Sequence, residues 1–122
     1  MFDSIFILLG LLFLKHWYVD FVNQSMEEVN GKGIYGNAYG VMHSIKHGVA
    51  TFVVFIACTQ DFSFSVILGF IDFFIHYHVD WAKININKKY NYTTENPKFW
   101  LWLGVDQLFH SLTYLGLVWL AL

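Results

Sequence analysis

The sequence predicts an all-α polytopic membrane protein, a four-transmembrane-helix bundle with a metal site in its cytoplasmic half. Three observations carry this reading. The 122 residues are 57% hydrophobic and only 13% charged, where a typical soluble domain carries ~25% charged residues. Four apolar segments each approach the ~20 residues that a helix needs to cross a bilayer. Each segment also holds two metal-ligating side chains four residues apart, a spacing that puts both on one helix face.

The expected helices run over residues 3–22, 41–58, 64–83 and 99–122, in a single domain spanning 1–122. No segment alternates polar and apolar residues as a strand would. The first helix follows Asp3 with no lysine before Lys15 and no small-residue cleavage site behind it, so a cleaved signal peptide is not expected. All seven basic residues are lysine. Lys32 falls in the first connection, and Lys88, Lys89 and Lys98 in the third, while the connection around residues 59–63 has none. The positive-inside rule then places the first and third connections in the cytoplasm and both termini outside. Trp17, Trp81, Trp100 and Trp102 lie near the lysine-bearing ends, as an interfacial aromatic belt would.

The connections carry local signals. Ser25 and Glu28 have capping-box spacing, which predicts a short surface helix. Gly31, Gly33, Gly36 and Gly40 read as a flexible stretch. Pro97 suits the first turn of the last helix. The single cysteine, Cys58, excludes a disulfide framework, and its place at the far end of the second helix reads as inert packing. A net charge of −2 makes no electrostatic case for nucleic acid as a partner.

The four pairs are His16 with Asp20, His43 with His47, His76 with Asp80, and Asp106 with His110. On the expected topology all four fall in the cytoplasmic half, although the histidines played no part in setting that topology. An aspartate inside a membrane helix costs about 2.5–3.5 kcal/mol, so three at matched depth call for a shared partner, and a bound cation is the simplest. Five imidazoles and three carboxylates suit one or two transition-metal ions, such as zinc, manganese, iron or cobalt, rather than magnesium or calcium. Eight candidates exceed the four ligands of one tetrahedral zinc, which favours two ions bridged by a carboxylate. Asp72 lies four residues before His76 and reads as a ligand, as a holder of the His76 imidazole or as a helix-packing contact. Gln24 and Gln107 read as hydrogen-bond donors behind the ligands. Lys83 reads as a contact for an anionic substrate or as a snorkelling interfacial lysine, and Lys46 has the same two readings.

In series, His16-x3-Asp20-Phe21-x2-Gln24, His43-x3-His47, His76-x3-Asp80-x2-Lys83 and Asp106-Gln107-x2-His110 resemble a family of small phage and bacterial membrane proteins that carry a domain of unknown function. That family is similar in turn to proteins named as membrane-bound metal-dependent hydrolases. The resemblance covers the chain from about Leu11 to its end. It implies a four-helix membrane bundle with a metal site built from these motif residues, and hydrolysis by naming only. The arginine-free, lysine- and asparagine-rich composition fits an AT-rich genome such as a phage's, and the implied location is a bacterial inner membrane.

The leading expectation is a dinuclear metallohydrolase acting on a phosphoester or lipid-linked substrate at the cytoplasmic interface. Asp80 and Asp106 are its candidate catalytic carboxylates, with Lys83 on the substrate and membrane lipid as the partner. The alternatives are a non-catalytic metal staple, a haem-binding bundle and a metal transporter. Aspartates paired with histidines argue against haem, and an apolar outer half argues against transport.

Overall fold

The computed structural model describes residues 2–122, with side chains from Ser4 onward. The Asp3 side chain, on which the reading of the first helix drew, lies outside the described residues. The fold is all-helical: α1 (Phe2–Trp17), α2 (Met26–Gly31), α3 (Ala38–Thr59), α4 (Phe62–Lys89) and α5 (Pro97–Ala121). Polar residues start four of these. Ser25 and Glu28 form the expected capping box at α2. Asn37 and Asn96 accept from backbone amides of the first turns of α3 and α5, and Asp61 does the same for α4. Pro97 opens α5, where its missing N–H leaves nothing unsatisfied.

The long helices close a ring in which α1 packs on α3 and α5, α3 on α4, and α4 on α5, while α2 lies on α3. Helices α3 and α4 approach to backbone contact. A Cβ on Gly48 would lie 2.8 Å from the Gly69 carbonyl oxygen, and one on Gly69 would lie 2.7 Å from that of Gly48. Only glycine at both places lets the two backbones touch, the device by which membrane helices gain packing without a hydrophobic driving force.

Four features depart from expectation. The first helix does not run as one α-helix to residue 22, because its last turn, Tyr18–Val22, widens into a π-helix. There the Asn23 amide donates to the Tyr18 carbonyl at 2.7 Å. Helix α4 continues six residues past the expected end at 83, to Lys89. Bilayer length set that expected end, whereas the helix itself stops only after Lys88 and Lys89, whose charges suit a helix C-terminus. The glycine stretch is packed rather than loose. Gly31 and Gly40 belong to α2 and α3 and press together, since a Cβ on Gly40 would lie 2.7 Å from the Gly31 carbonyl oxygen. Only Gly36, with φ of +81°, uses glycine's freedom for a turn. Cys58 is exposed, not packed.

Polarity is inverted relative to a water-soluble domain. Among the described residues, ten hydrophobic side chains are buried against fourteen polar or charged ones, so the fold hides polar groups and presents apolar ones. Phe6, Leu14, Val53, Phe70, Leu108 and Trp119 are among many large apolar side chains on the outside. The interior divides by depth. Leu8, Leu12, Phe55, Leu68 and Leu117 form an apolar cluster at the end where α1 and α4 begin, and the polar groups fill the other half.

Three helical spans are long and apolar enough to cross a membrane: Ser4–Val22, Ala38–Thr59 and Phe62–Lys89. The expected fourth is not among them. Helix α5 has 25 residues, but Asp106, Gln107, His110, Ser111 and Thr113 dilute its apolar character.

Candidate metal centre

Asp20, on the π turn, is the hub. Its Oδ1 lies 3.0 Å from His43 Nε2 and 2.8 Å from His47 Nε2, and 3.6 Å from His76 Nε2. These four residues each offer one ligand atom within 4.8 Å of the others. A second group joins His76, Asp80 and His110 under the same limit. Asp80 lies 3.2 Å from His76 Nε2 and 3.1 Å from His110 Nε2. His76 is common to both groups. Its ring is stacked between those of His47 and His110, at 3.5 and 3.9 Å between centroids.

Six of the eight expected ligands thus fall into two adjoining groups. His16 and Asp106 lie outside both. His16 is 3.3 Å from Asp20 Oδ2, but Gln107 and Tyr114 engage both of its nitrogens. Gln107 Nε2 donates to Asp106 Oδ2 at 3.0 Å, which fixes the amide so that its oxygen accepts from His16 Nε2 at 2.8 Å. His16 Nδ1 then accepts from the Tyr114 hydroxyl at 2.7 Å. Asp106 Oδ1 lies 3.2 Å from His110 Nε2, and Lys83 donates to its Oδ2 at 3.1 Å. Gln24 only donates to the Asp20 backbone carbonyl, at 2.7 Å. Asp72 lies outside both groups and accepts from Lys15 and Thr51, at 2.7 and 2.5 Å.

Several residues at the site escaped the sequence reading. Lys15 reaches from α1 to Asp72 and comes within 3.1 Å of His47 Nδ1. Lys32, just beyond α2, is 3.3 Å from Asp80 Oδ2. Glu28 is fully buried, accepts from the Ser25 amide at 3.0 Å, pairs with Lys46 and lies 3.7 Å from His43 Nδ1. Burial alone would push the Glu28 carboxyl up, but Lys46 and the Ser25 amide outweigh it and hold the group below the usual carboxylate range. Its stabilising contribution is therefore complete above the free-glutamate pKa and is lost only as pH falls through the lower folded value. The one available signal was the capping box, which marks Glu28 as pointing back toward the chain. The lysines carried none, because a lysine near a helix end reads as interfacial.

The donor set fits a transition-metal ion. Imidazole and carboxylate without thiolate suit zinc, manganese or iron. The ligand side chains are buried to within a few per cent, and His76, fully buried, has neither ring nitrogen in a hydrogen bond. Carboxylate oxygens lie near its Nε2, but none in hydrogen-bonding geometry. An unmade hydrogen bond in such a place costs about 1–3 kcal/mol, and coordination would remove that cost.

The Lys15–Asp72 pair gives a stability prediction. Asp72→Ala strands a buried ammonium and should cost about 3–5 kcal/mol, whereas Lys15→Met combined with Asp72→Leu should recover most of that loss. Thermal unfolding in detergent compares the two. A single variant as stable as the double one would refute the pairing.

No curated protein and no solved structure matches the chain. One family model does, over residues 8–121, nearly the whole length. The chain belongs to the family described as "Protein of unknown function (DUF3307)".

Proposed function

We propose that this chain is a membrane-embedded metal protein whose two adjoining donor groups form a dinuclear hydrolytic centre for phosphoesters. The observation that carries it is His76, a fully buried imidazole without a hydrogen bond at the junction of Asp20, His43 and His47 on one side and Asp80 and His110 on the other. In this reading α5 is a fourth span. Its support is the direction of its side chains: Asp106 and His110 face inward, while Leu101, Leu108, Leu112, Leu115 and Leu120 face out. Bound ions supply Lewis acidity and lower the pKa of water toward ~7. Asp80 serves as a ligand carboxylate. Asp106, outside both donor groups but next to His110, takes a proton from water, and Lys83 holds an anionic substrate as a point charge.

A second reading, a metal staple without catalysis, has its own support: none of the six donor-group residues is more than 6% exposed. One experiment separates the two. Purified protein should contain one or two transition-metal ions per chain, His76→Ala should lower that content, and binding should weaken in acid, where protons compete for the ligand nitrogens and oxygens. If the centre is hydrolytic, wild type should cleave a phospholipid phosphoester, and Asp80→Asn should be slower by about two orders of magnitude or more. Loss of stability in Asp80→Asn with no turnover by wild type would leave only the staple. Metal-free protein as stable as protein given zinc, manganese or iron would end both readings.

We also propose that both termini lie outside and that residues 90–96 face the cytoplasm of a bacterial cell, as the lysine asymmetry supports. In a Cys58→Ser background, Glu95→Cys should resist a membrane-impermeant thiol reagent added to intact cells. Ready labelling would reverse the orientation.

A further inference from the structure

Between α4 and α5, on the outer face, lies a cavity of about 320 Å³. Ile86, Trp102, Val105 and Phe109 give it apolar walls, and Lys83 and Asp106 line it as well. Its neighbourhood is the apolar exterior, where Leu108 and Phe109 are half-exposed or more. Lys83 Nζ lies 3.1 Å from Asp106, Asp106 lies 3.2 Å from His110, and His110 lies 3.1 Å from Asp80. Lys83 therefore reaches the second donor group, at His110, through two successive polar contacts.

The charge inventory of the interior says what should occupy it. Four carboxylates each have a lysine: Asp72 with Lys15, Asp80 with Lys32, Glu28 with Lys46 and Asp106 with Lys83. Asp20 has none among the described residues and meets only imidazoles. With neutral imidazoles the set carries one net negative charge. One divalent ion reverses its sign, and two leave a surplus of three positive charges inside an apolar shell. Buried charge of that size requires a counter-charge, and Lys83 is a lysine that can present itself to one arriving from the groove.

We infer that this groove is a lipid-side binding site for an anionic phospholipid, with the phosphate at Lys83 and an acyl chain along the apolar wall, so that the metal centre's substrate class is a membrane amphiphile. This rests on the metal reading above, because without bound ions the interior carries no positive surplus for a phosphate to balance. The acyl chain packs against the apolar wall in a way a free phosphate cannot, and the head supplies the charge.

The test is native mass spectrometry of the full chain in a neutral detergent, metal-loaded and chelator-treated, with phosphatidic acid or phosphatidylcholine of identical acyl chains. Metal-loaded protein should bind one phosphatidic acid about tenfold tighter than phosphatidylcholine, and chelation should abolish the preference. Lys83→Gln should lose the preference while keeping its metal content, which also shows that the variant has folded. Val105→Trp, which fills the groove, should weaken both lipids. Equal affinity for the two lipids in metal-loaded protein, or an unchanged preference in Lys83→Gln, overturns the inference and leaves the metal reading standing. Complete displacement of phosphatidic acid by equimolar inorganic phosphate overturns the amphiphile in favour of a free anion. Failure to take up metal overturns both readings.

Discussion

Asp20 is a buried carboxylate with no lysine within ion-pair distance among the described residues, and that constraint organises the polar half of the molecule. Three imidazole nitrogens come within 3.6 Å of its Oδ1, and His16 approaches its other oxygen. Neutral imidazoles solvate a carboxylate but do not neutralise it, and an uncompensated ion in an apolar interior is costly. The π turn at Tyr18–Val22 accompanies this arrangement. One extra residue in the turn changes where the helix points its last side chains, and such turns are frequent at functional sites. A cation beside Asp20 would supply the missing charge and give the idle nitrogens of His76 a partner.

The other four buried carboxylates show a second means of charge compensation, Asp80 among them although the metal reading also makes it a ligand. Each has its own lysine, and the lysines come from four places: α1, the segment after α2, α3 and α4. Helix α2 therefore has a structural task. Its N-terminal cap sets Glu28 against Lys46 and His43, and its end delivers Lys32 to Asp80. The glycine contact between Gly31 and Gly40 lets the first connection fold tightly enough to do this. The apolar cluster at the opposite end bears no such load and presents a plain hydrophobic seam.

Much of this was legible because helices repeat. The i, i+4 pairs had to share faces whatever the tertiary arrangement, and their matched depth already implied that the faces meet. The capping box at Ser25 and the proline opening α5 are local chemistry, which sequence states directly. What escaped depends on the partner across the bundle. Lys15 beside His16 looks like an interfacial charge until Asp72, on α4, receives it. Asp72 therefore proved to hold Lys15 rather than His76. Lys32 and Glu28 look like loop residues until α2 folds back. The π turn has no periodic signature, since one added residue is invisible in a window of twenty. Helix α5 shows the same limit in reverse, because a polar inner face lowers its mean hydropathy without making its outer face any less apolar.

The central claim is that the imidazoles and carboxylates around His76 coordinate a metal, and X-ray absorption at the metal edge tests it most directly. For purified protein loaded with zinc, manganese or iron, the account predicts a nitrogen and oxygen shell at ~2.0–2.2 Å. It also predicts the multiple-scattering pattern of several imidazoles, weakened in His76→Ala. A shell of water oxygens alone, or one containing sulfur, would place the ion elsewhere and contradict the account.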